Sequence, residues 1–326
     1  MKPVKLLILD ESMLMRESIH RELSRDVNIS VVAKTANPYE ARDKIIELKP
    51  DIMICDVSLE KMEGIDFVKK LLSQYYIPVI MISPDPAQKA AAESAGVKGF
   101  LVRPSGQLRV PGDFYIKLMV LVKTIMYNEQ PRFSAEKLVS KLIVIGASTG
   151  GAEAIENVLK DMPPVMPPIV ISQHMPPKFT NTFARRLNTV CKLSVKEAEN
   201  DDIAVPGQVY IAPGGFHTTV RKRDGRYILN CAENVSGIKT CPSIDHLFNS
   251  VAPYGKGNVV GALLTGMGKD GAHGLKEMHD AGCATIGQDQ HSSVIYGMPK
   301  VAFEIGAVDF QLALNKIPQK LIELSL

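Results

Sequence analysis

The stretch Lys141-Leu-Ile-Val-Ile-Gly146-Ala-Ser148-Thr-Gly150-Gly151 carries the pattern G-x-S-x-G. An apolar run breaks at Gly146, a serine follows, and two glycines open what reads as a helix from Ala152 to Lys160. Strand, tight turn and helix in that order lift a serine hydroxyl clear of its backbone and leave nearby N–H groups free to bind an oxyanion. Small residues on both sides let a substrate carbonyl come close. A glycine-rich turn that only holds a phosphate is the competing reading of the same residues. The two differ in whether a base, and a carboxylate to orient it, stand at equivalent places elsewhere.

Two further apolar runs end in such groups. Pro168-Ile-Val-Ile-Ser-Gln-His174-Met-Pro-Pro177 ends in a histidine, and Asn258-Val-Val-Gly-Ala-Leu-Leu-Thr265-Gly-Met267-Gly-Lys-Asp270 ends in a glycine-rich turn with an aspartate. Apolar runs alternating with helical segments read as buried parallel strands, whose carboxyl ends carry the site in open α/β sheets. Ser148, His174 and Asp270 each fall just past such an end. They supply a hydroxyl to attack, an imidazole to take its proton and a carboxylate to fix the tautomer. Taken singly, His174 reads as a cap or core residue and Asp270 as an N-cap for the following helix. The order Ser…His…Asp differs from that of α/β-hydrolases and argues against that fold.

At 326 residues and 45% apolar content, the chain is long enough for two cores. A formal net charge of +3 implies no large electrostatic partner. The densest basic run, Arg221-Lys-Arg223-Asp-Gly-Arg226, reads as the solvated tip of a hairpin rather than a nucleic-acid patch. Five cysteines without C-x-x-C read as reduced thiols of a cytoplasmic protein. The seven histidines lack metal-ligand spacing, so no metal centre is expected in the C-terminal half. No segment reaches the roughly 18 apolar residues of a membrane-spanning helix, and no membrane insertion is expected. Nothing demands more than a monomer.

From Val4 to about Met126, apolar runs at Val4–Leu9, Ser30–Ala33, Ile52–Cys55, Pro78–Ile82 and Gly99–Val102 alternate with amphipathic segments such as Met13–Arg25 and Tyr39–Lys49. That alternation predicts a doubly wound parallel sheet. Asp10, Glu11 and Asp56 end its first and third strands, where such sheets place their sites. Three acids in one crevice raise one another's pKa unless a cation joins them. A hard divalent ion, Mg²⁺, held by Asp10, Glu11 and Asp56 is the simplest remedy, and it could neutralise a phosphoryl group arriving at Asp56.

This half resembles the receiver domain of two-component response regulators. Asp10-Glu11 matches the acidic pair, Asp56 the phospho-accepting aspartate, and Ser83 the hydroxyl residue. Phe100 falls at the aromatic switch position. The resemblance implies phosphate transfer from a chemotaxis histidine kinase to Asp56. Two positions depart from the pattern. Arg103-Pro104 stands where lysine-proline is usual, and the proline that normally follows the phospho-site is missing from Val57–Gly64. Arginine keeps the charge but has a wider, planar head, which bears on how phosphorylation is coupled to output.

From Leu142 onward the chain resembles the CheB family of chemotaxis methylesterases. Ile145–Gly151, Gln173–Pro177, Pro206–Gly215, Pro242–Asp245, Leu264–Ala272 and Gly297–Pro299 match its motifs in order, with Ala152 where proline is common. The family's serine, histidine and aspartate fall on Ser148, His174 and Asp270. Backbone near Thr149 and Met267 is implied as the oxyanion site. The resemblance implies two doubly wound parallel-sheet domains. A flavodoxin-like receiver at 1–126 and a linker at 127–140 would precede a Rossmann-like α/β esterase domain at 141–326. It implies demethylation of glutamyl methyl esters on methyl-accepting chemoreceptors, and deamidation of receptor glutamines, with no cofactor for the esterase step.

Two alternatives remain at this stage. One is a response regulator whose effector is a catalytically silent binding module; the other is an esterase that has lost phosphoregulation. His217, His246 and His291 sit near turns where capping competes with lining a cleft. Asp245 could order a helix start, and Thr265 could simply pack a strand end.

Overall fold

A computed structural model of the chain describes residues 3–104, 112–127, 135–233 and 241–325. The chain divides into two compact units, Lys2–Pro131 and Arg132–Leu326.

In the first unit, strands β1 (Val4–Leu9), β2 (Ile29–Thr35), β3 (Ile52–Asp56), β4 (Val79–Ser83) and β5 (Gly99–Val102) form one parallel sheet in the order β2-β1-β3-β4-β5. Helices α1 (Met13–Leu23), α2 (Pro38–Leu48), α3 (Gly64–Leu72), α4 (Lys89–Ser94) and α5 (Gly112–Tyr127) lie between or after them. This is the flavodoxin-like order, and its switch point falls between β1 and β3. Strands β3 and β4 are buried along their whole length, as their unbroken apolar runs require. Capping places the helices. The Ser12 hydroxyl accepts from the Met15 N–H at the start of α1, and the Asn37 side chain accepts from the Tyr39 N–H before Pro38 opens α2. Gly64 lets α3 begin hard against β3, because a Cβ there would lie 2.2 Å from the Asp56 carbonyl oxygen. The second strand runs longer than its apolar core suggested, and α1 stops two residues before Arg25.

The second unit opens with α6 (Ala135–Ser140), so the later part of the expected linker is helical; residues 128–134 of that linker lie outside the described residues. Strands β6 (Leu142–Ala147), β7 (Ile169–Gln173), β8 (Ser194–Glu197), β9 (Gln208–Ile211), β12 (Val259–Leu263), β13 (Ala284–Gln288) and β14 (Phe310–Leu312) make a parallel sheet ordered β14-β13-β12-β6-β7-β9-β8. Helices α7 (Gly151–Lys160), α8 (Phe179–Val190), α9 (Ile244–Val251), α10 (Ala272–Asp280), α11 (Met298–Glu304) and α12 (Ile317–Ser325) complete a Rossmann-like α/β unit.

Apart from that sheet, β10 (Phe216–Arg223) and β11 (Arg226–Glu233) pair antiparallel. Asp224 and Gly225 join them, both at positive φ, in the two-residue turn that suits the strand twist. The chain builds outward from β6 in one direction to β7 and later returns to its other side as β12. The switch point therefore lies where β12, β6 and β7 end.

Candidate active site

Ser148 follows β6, His174 follows β7, and Asp270 follows β12 at the end of a glycine turn. These are three adjacent strands, so their carboxyl ends converge on one crevice. The His174 ring stands between the other two groups, with Nδ1 3.0 Å from Ser148 Oγ and Nε2 2.7 Å from Asp270 Oδ2. A proton on Nε2 donated to the carboxylate leaves the Nδ1 lone pair facing the serine hydroxyl, as a general base requires.

Small residues make that convergence possible. Gly150 adopts φ +78 to turn the chain from Ser148 into α7, and Gly151 donates back to the Ser148 carbonyl at 2.8 Å. A Cβ on Gly266 would sit 2.7 Å from Ser148 Cβ, so glycine there lets the turn after β12 lie against Ser148. The Ser148 N–H donates to the Thr265 carbonyl at 3.0 Å and is occupied. By contrast, the Thr149 and Met267 N–H groups have no acceptor among the described residues. They remain available to a developing oxyanion. Met267 turns its side chain outward (72% exposed), so only its backbone can contribute to that hole. Thr265 is buried and does more than pack. Its hydroxyl donates to the Thr149 carbonyl at 3.0 Å and accepts from the Ile295 N–H at 2.9 Å, tying the turn after β6 to the 289–296 loop.

Asp270 is held from several sides. Besides His174, it accepts from the Ser243 hydroxyl at 3.0 Å, the Ile244 N–H at 2.8 Å and the Asp245 N–H at 3.1 Å. The two N–H groups open α9, whose dipole favours a negative charge at that end. Burial alone would raise the Asp270 pKa; the His174 bond and the two backbone donors outweigh it and bring the carboxyl down to about 2. Asp245 itself points into α10, accepting from the Gly274 N–H at 2.7 Å, and burial raises its pKa. It orders the junction of α9 and α10 through that bond.

Ser243 escaped the sequence reading. Its N-cap position before Ile244 was a usable signal, although the partner it would find was not. His217 and His246 stack, with centroids 4.4 Å apart, beside the Ser243 backbone. His291 instead lines a separate cavity of about 410 Å³ with Lys160, Asp161 and Asp289.

The first unit has a second crevice. Asp10 and Asp56 are buried where β1 and β3 end and Ser83 where β4 ends, while Arg103, partly exposed, stands just past β5. Burial first, then the neighbouring Asp56 charge, push the Asp10 pKa up to about 7; burial also raises Asp56 against the pull of Arg103. Glu11 is shifted upward as well, by desolvation first and then by Glu60 and Asp56. The Arg103 guanidinium reaches Asp56 at 3.6 Å, so the arginine occupies the charge position despite its wider head. Ser83 donates to the Gln88 side chain and accepts from the Asp85 N–H at 2.9 Å. Phe100 is half-buried on β5 against the core.

Asp10 Oδ2 and Glu11 Oε1 are buried without a hydrogen-bond partner, as oxygen ligands awaiting a cation would be. Among the described residues no three acidic, histidine or cysteine side chains close into a metal cage. That is compatible with Mg²⁺, which is bound through one or two carboxylates and keeps several waters or phosphate oxygens. No described helix is long and apolar enough to cross a membrane.

Comparison with known proteins agrees with both units. The CheB methylesterase family profile matches residues 143–321, and the response regulator receiver domain profile matches residues 6–110. A Syntrophomonas wolfei protein named protein-glutamate methylesterase/protein-glutamine glutaminase 2 is 43% identical, covering 99% of this chain and 98% of its own length. Proteins named protein-glutamate methylesterase/protein-glutamine glutaminase are 40% identical in Sulfurimonas denitrificans, over 98% of both chains, and 38% in Yersinia pseudotuberculosis, over 99% of this chain and 97% of the other. The crystal structure of the Thermotoga maritima CheB methylesterase catalytic domain superposes with a TM-score of 0.54 at 39% identity, covering 56% of this chain and 98% of that one. The chain therefore belongs to the CheB methylesterase family, with a response regulator receiver domain ahead of its esterase domain.

Proposed function

We propose that the chain is a phosphorylation-regulated serine hydrolase that demethylates glutamyl methyl esters on chemoreceptors and deamidates receptor glutamines. The observation that carries this reading is the His174 ring spanning 3.0 Å to Ser148 and 2.7 Å to Asp270 at three adjacent strand ends. Ser148 Oγ attacks the ester carbonyl while His174 Nδ1 takes its proton. Asp270 holds the Nε2–H and balances the imidazolium charge. The carbonyl oxygen, now negative, receives the Thr149 and Met267 N–H groups; one such donor is worth about 3–4 kcal/mol in a well-formed oxyanion hole. Collapse expels methoxide, which leaves as methanol with the proton from Nδ1. Water, deprotonated at Nδ1, then cleaves the acyl-serine and leaves glutamate. With a glutamine substrate the leaving group is ammonia.

Control resides in the receiver. Asp56 accepts phosphate from a chemotaxis histidine kinase; Asp10, Glu11 and Asp56 line the crevice in which Mg²⁺ would be held through one or two of these carboxylates and waters, where it would supply positive charge to the phosphoryl group. Ser83 and Arg103 stand at the adjacent strand ends to meet the phosphoryl oxygens. The unphosphorylated receiver restrains the esterase, phosphate releases it, and the reaction takes place on the cytoplasmic part of the receptors. Supporting this part are the receiver profile match, the buried acidic crevice and the 3.6 Å approach of Arg103 to Asp56. A phosphonofluoridate probe tests the nucleophile: labelling at Ser148 that disappears in His174→Ala is expected. Labelling elsewhere, or labelling indifferent to His174, would refute the assignment.

A further inference from the structure

Gln173, the last residue of β7, is buried beside the triad and has no role in the reaction just described. Its amide nitrogen donates to the Ser148 carbonyl at 2.9 Å and to the His174 carbonyl at 3.1 Å. Both acceptors are backbone oxygens, so only the NH₂ end of the amide can face them, and its two hydrogens are both used. The two carbonyls belong to the nucleophile and to the base. One side chain thus joins two loops that leave different strands.

The other end of the amide fixes where the clamp sits. Gln173 Oε1 is buried with no hydrogen-bond partner and lies 2.2 Å from the place a Cβ on Gly151 would occupy. Gly151 opens α7, so Oε1 rests against the first turn of that helix, at its positive end. The second glycine of the Gly150-Gly151 pair therefore makes room for a side chain from the neighbouring strand. Gly150 supplies the positive φ, and Gly151 supplies the space.

We infer that Gln173 is a positioning residue for the hydrolysis, setting the separation of Ser148 and His174, and that Gly151 is glycine to admit it alongside Ala147, whose Cβ lies 2.7 Å from the same point. This role rests on the nucleophile assignment above. The distance from hydroxyl to ring nitrogen decides proton transfer, and a misplacement of about 1 Å can cost on the order of a hundredfold in rate. Both carbonyls are taken up by donors within the chain, so substrate affinity should be spared.

The test uses the full chain and a small phosphonofluoridate, whose reaction at Ser148 does not depend on receptor binding. Gln173→Met keeps the length of the side chain and removes both donors. It should slow the limiting rate of phosphonylation, in which Ser148 Oγ bonds to phosphorus and fluoride leaves, by about tenfold to a hundredfold with little change in the half-saturating probe concentration. Gly151→Ala attacks the same clamp from the other side by displacing Oε1, and should also be slow. Because both changes break one unit, the double variant should be no slower than the worse single variant. Multiplicative losses would show two independent packing defects and overturn the inference. So would a Gln173→Met rate within about twofold of wild type. Should the Met variant fold poorly, Gln173→Leu, apolar and without donors, gives the same comparison. A wild-type chain that is not labelled at Ser148 would instead overturn the nucleophile assignment, and the role of Gln173 with it.

Discussion

Replacing Asp270 by asparagine keeps the size of the side chain while removing its charge and half of its acceptor capacity. The carboxylate receives His174 Nε2 and the Ile244 N–H on Oδ2, and the Ser243 hydroxyl and the Asp245 N–H on Oδ1. An asparagine NH₂ must face one of these pairs. Placed on the Oδ2 side, it opposes the Ile244 N–H and forces His174 to accept, which moves the ring proton to Nδ1 and leaves Ser148 without a base. Placed on the Oδ1 side, it keeps the tautomer but strands the Asp245 N–H, at a cost of about 1–3 kcal/mol.

Neither arrangement supplies a negative charge for the imidazolium. A kcat loss of about a hundredfold to ten-thousandfold is expected, with KM largely retained. Stability follows from the same contacts. The folded pKa near 2, against 3.8 for a free carboxyl, corresponds to ~2 kcal/mol favouring the ionised native state. That contribution is present above about pH 4 and is lost as pH falls towards 2, so asparagine should cost most near neutrality and converge with wild type in acid. Single-turnover methanol release and urea midpoints from pH 7 down to pH 2 measure both effects. Asp270→Asn retaining kcat within about threefold would show that the carboxylate plays no part in the chemistry.

Other expectations concern neighbouring groups. Ser243→Ala removes one of the four bonds to Asp270 and should cost about 1 kcal/mol in urea stability with a several-fold fall in kcat; no change in kcat would make Ser243 a helix cap only. Asp10→Asn should raise the melting temperature at pH 8, because a carboxyl with a pKa near 7 is ionised there against Asp56. The gain should shrink below pH 7, where wild-type Asp10 is itself protonated; a gain that does not vary with pH would contradict that origin. The same variant should lose Mg²⁺ binding followed by titration calorimetry. Arg103→Lys should keep the response of the esterase to phosphodonor and Arg103→Ala should lose it, since the structure shows a charge reaching Asp56 at 3.6 Å without a close bidentate fork. Equal responses in both variants would remove Arg103 from the switch.

Much of the architecture was legible because its signals are local. Ile52–Asp56 and Val79–Ser83 are buried throughout, and their unbroken apolar runs announced it. Asp224-Gly225 could be read as a hairpin turn from two residues. The strand-end rule points to Ser148, His174 and Asp270 as groups that could converge; that β12, β6 and β7 are neighbours is a matter of strand order, which the structure supplies.

What the sequence hid depends on distant partners. The donors holding Asp270 come from residues 243–245, on a helix whose docking no local pattern reveals. Thr265 and Gln173 sit at strand ends; Thr265 reads there as ordinary packing and Gln173 carries no local signal of its own, because their acceptors lie on other loops. The use of Nδ1 towards serine and Nε2 towards aspartate is set by ring orientation. The helix Ala135–Ser140 in the expected linker is a single short turn region with no strong apolar period.

The most direct measurement is methanol release from methylated receptor membranes by the full chain, with and without a small-molecule phosphodonor, beside Ser148→Ala and Asp56→Asn. Release that rises with phosphodonor, is absent in Ser148→Ala and ignores phosphodonor in Asp56→Asn is the expected result. Release that persists in Ser148→Ala, or that never appears in the wild type, would contradict a serine esterase under receiver control.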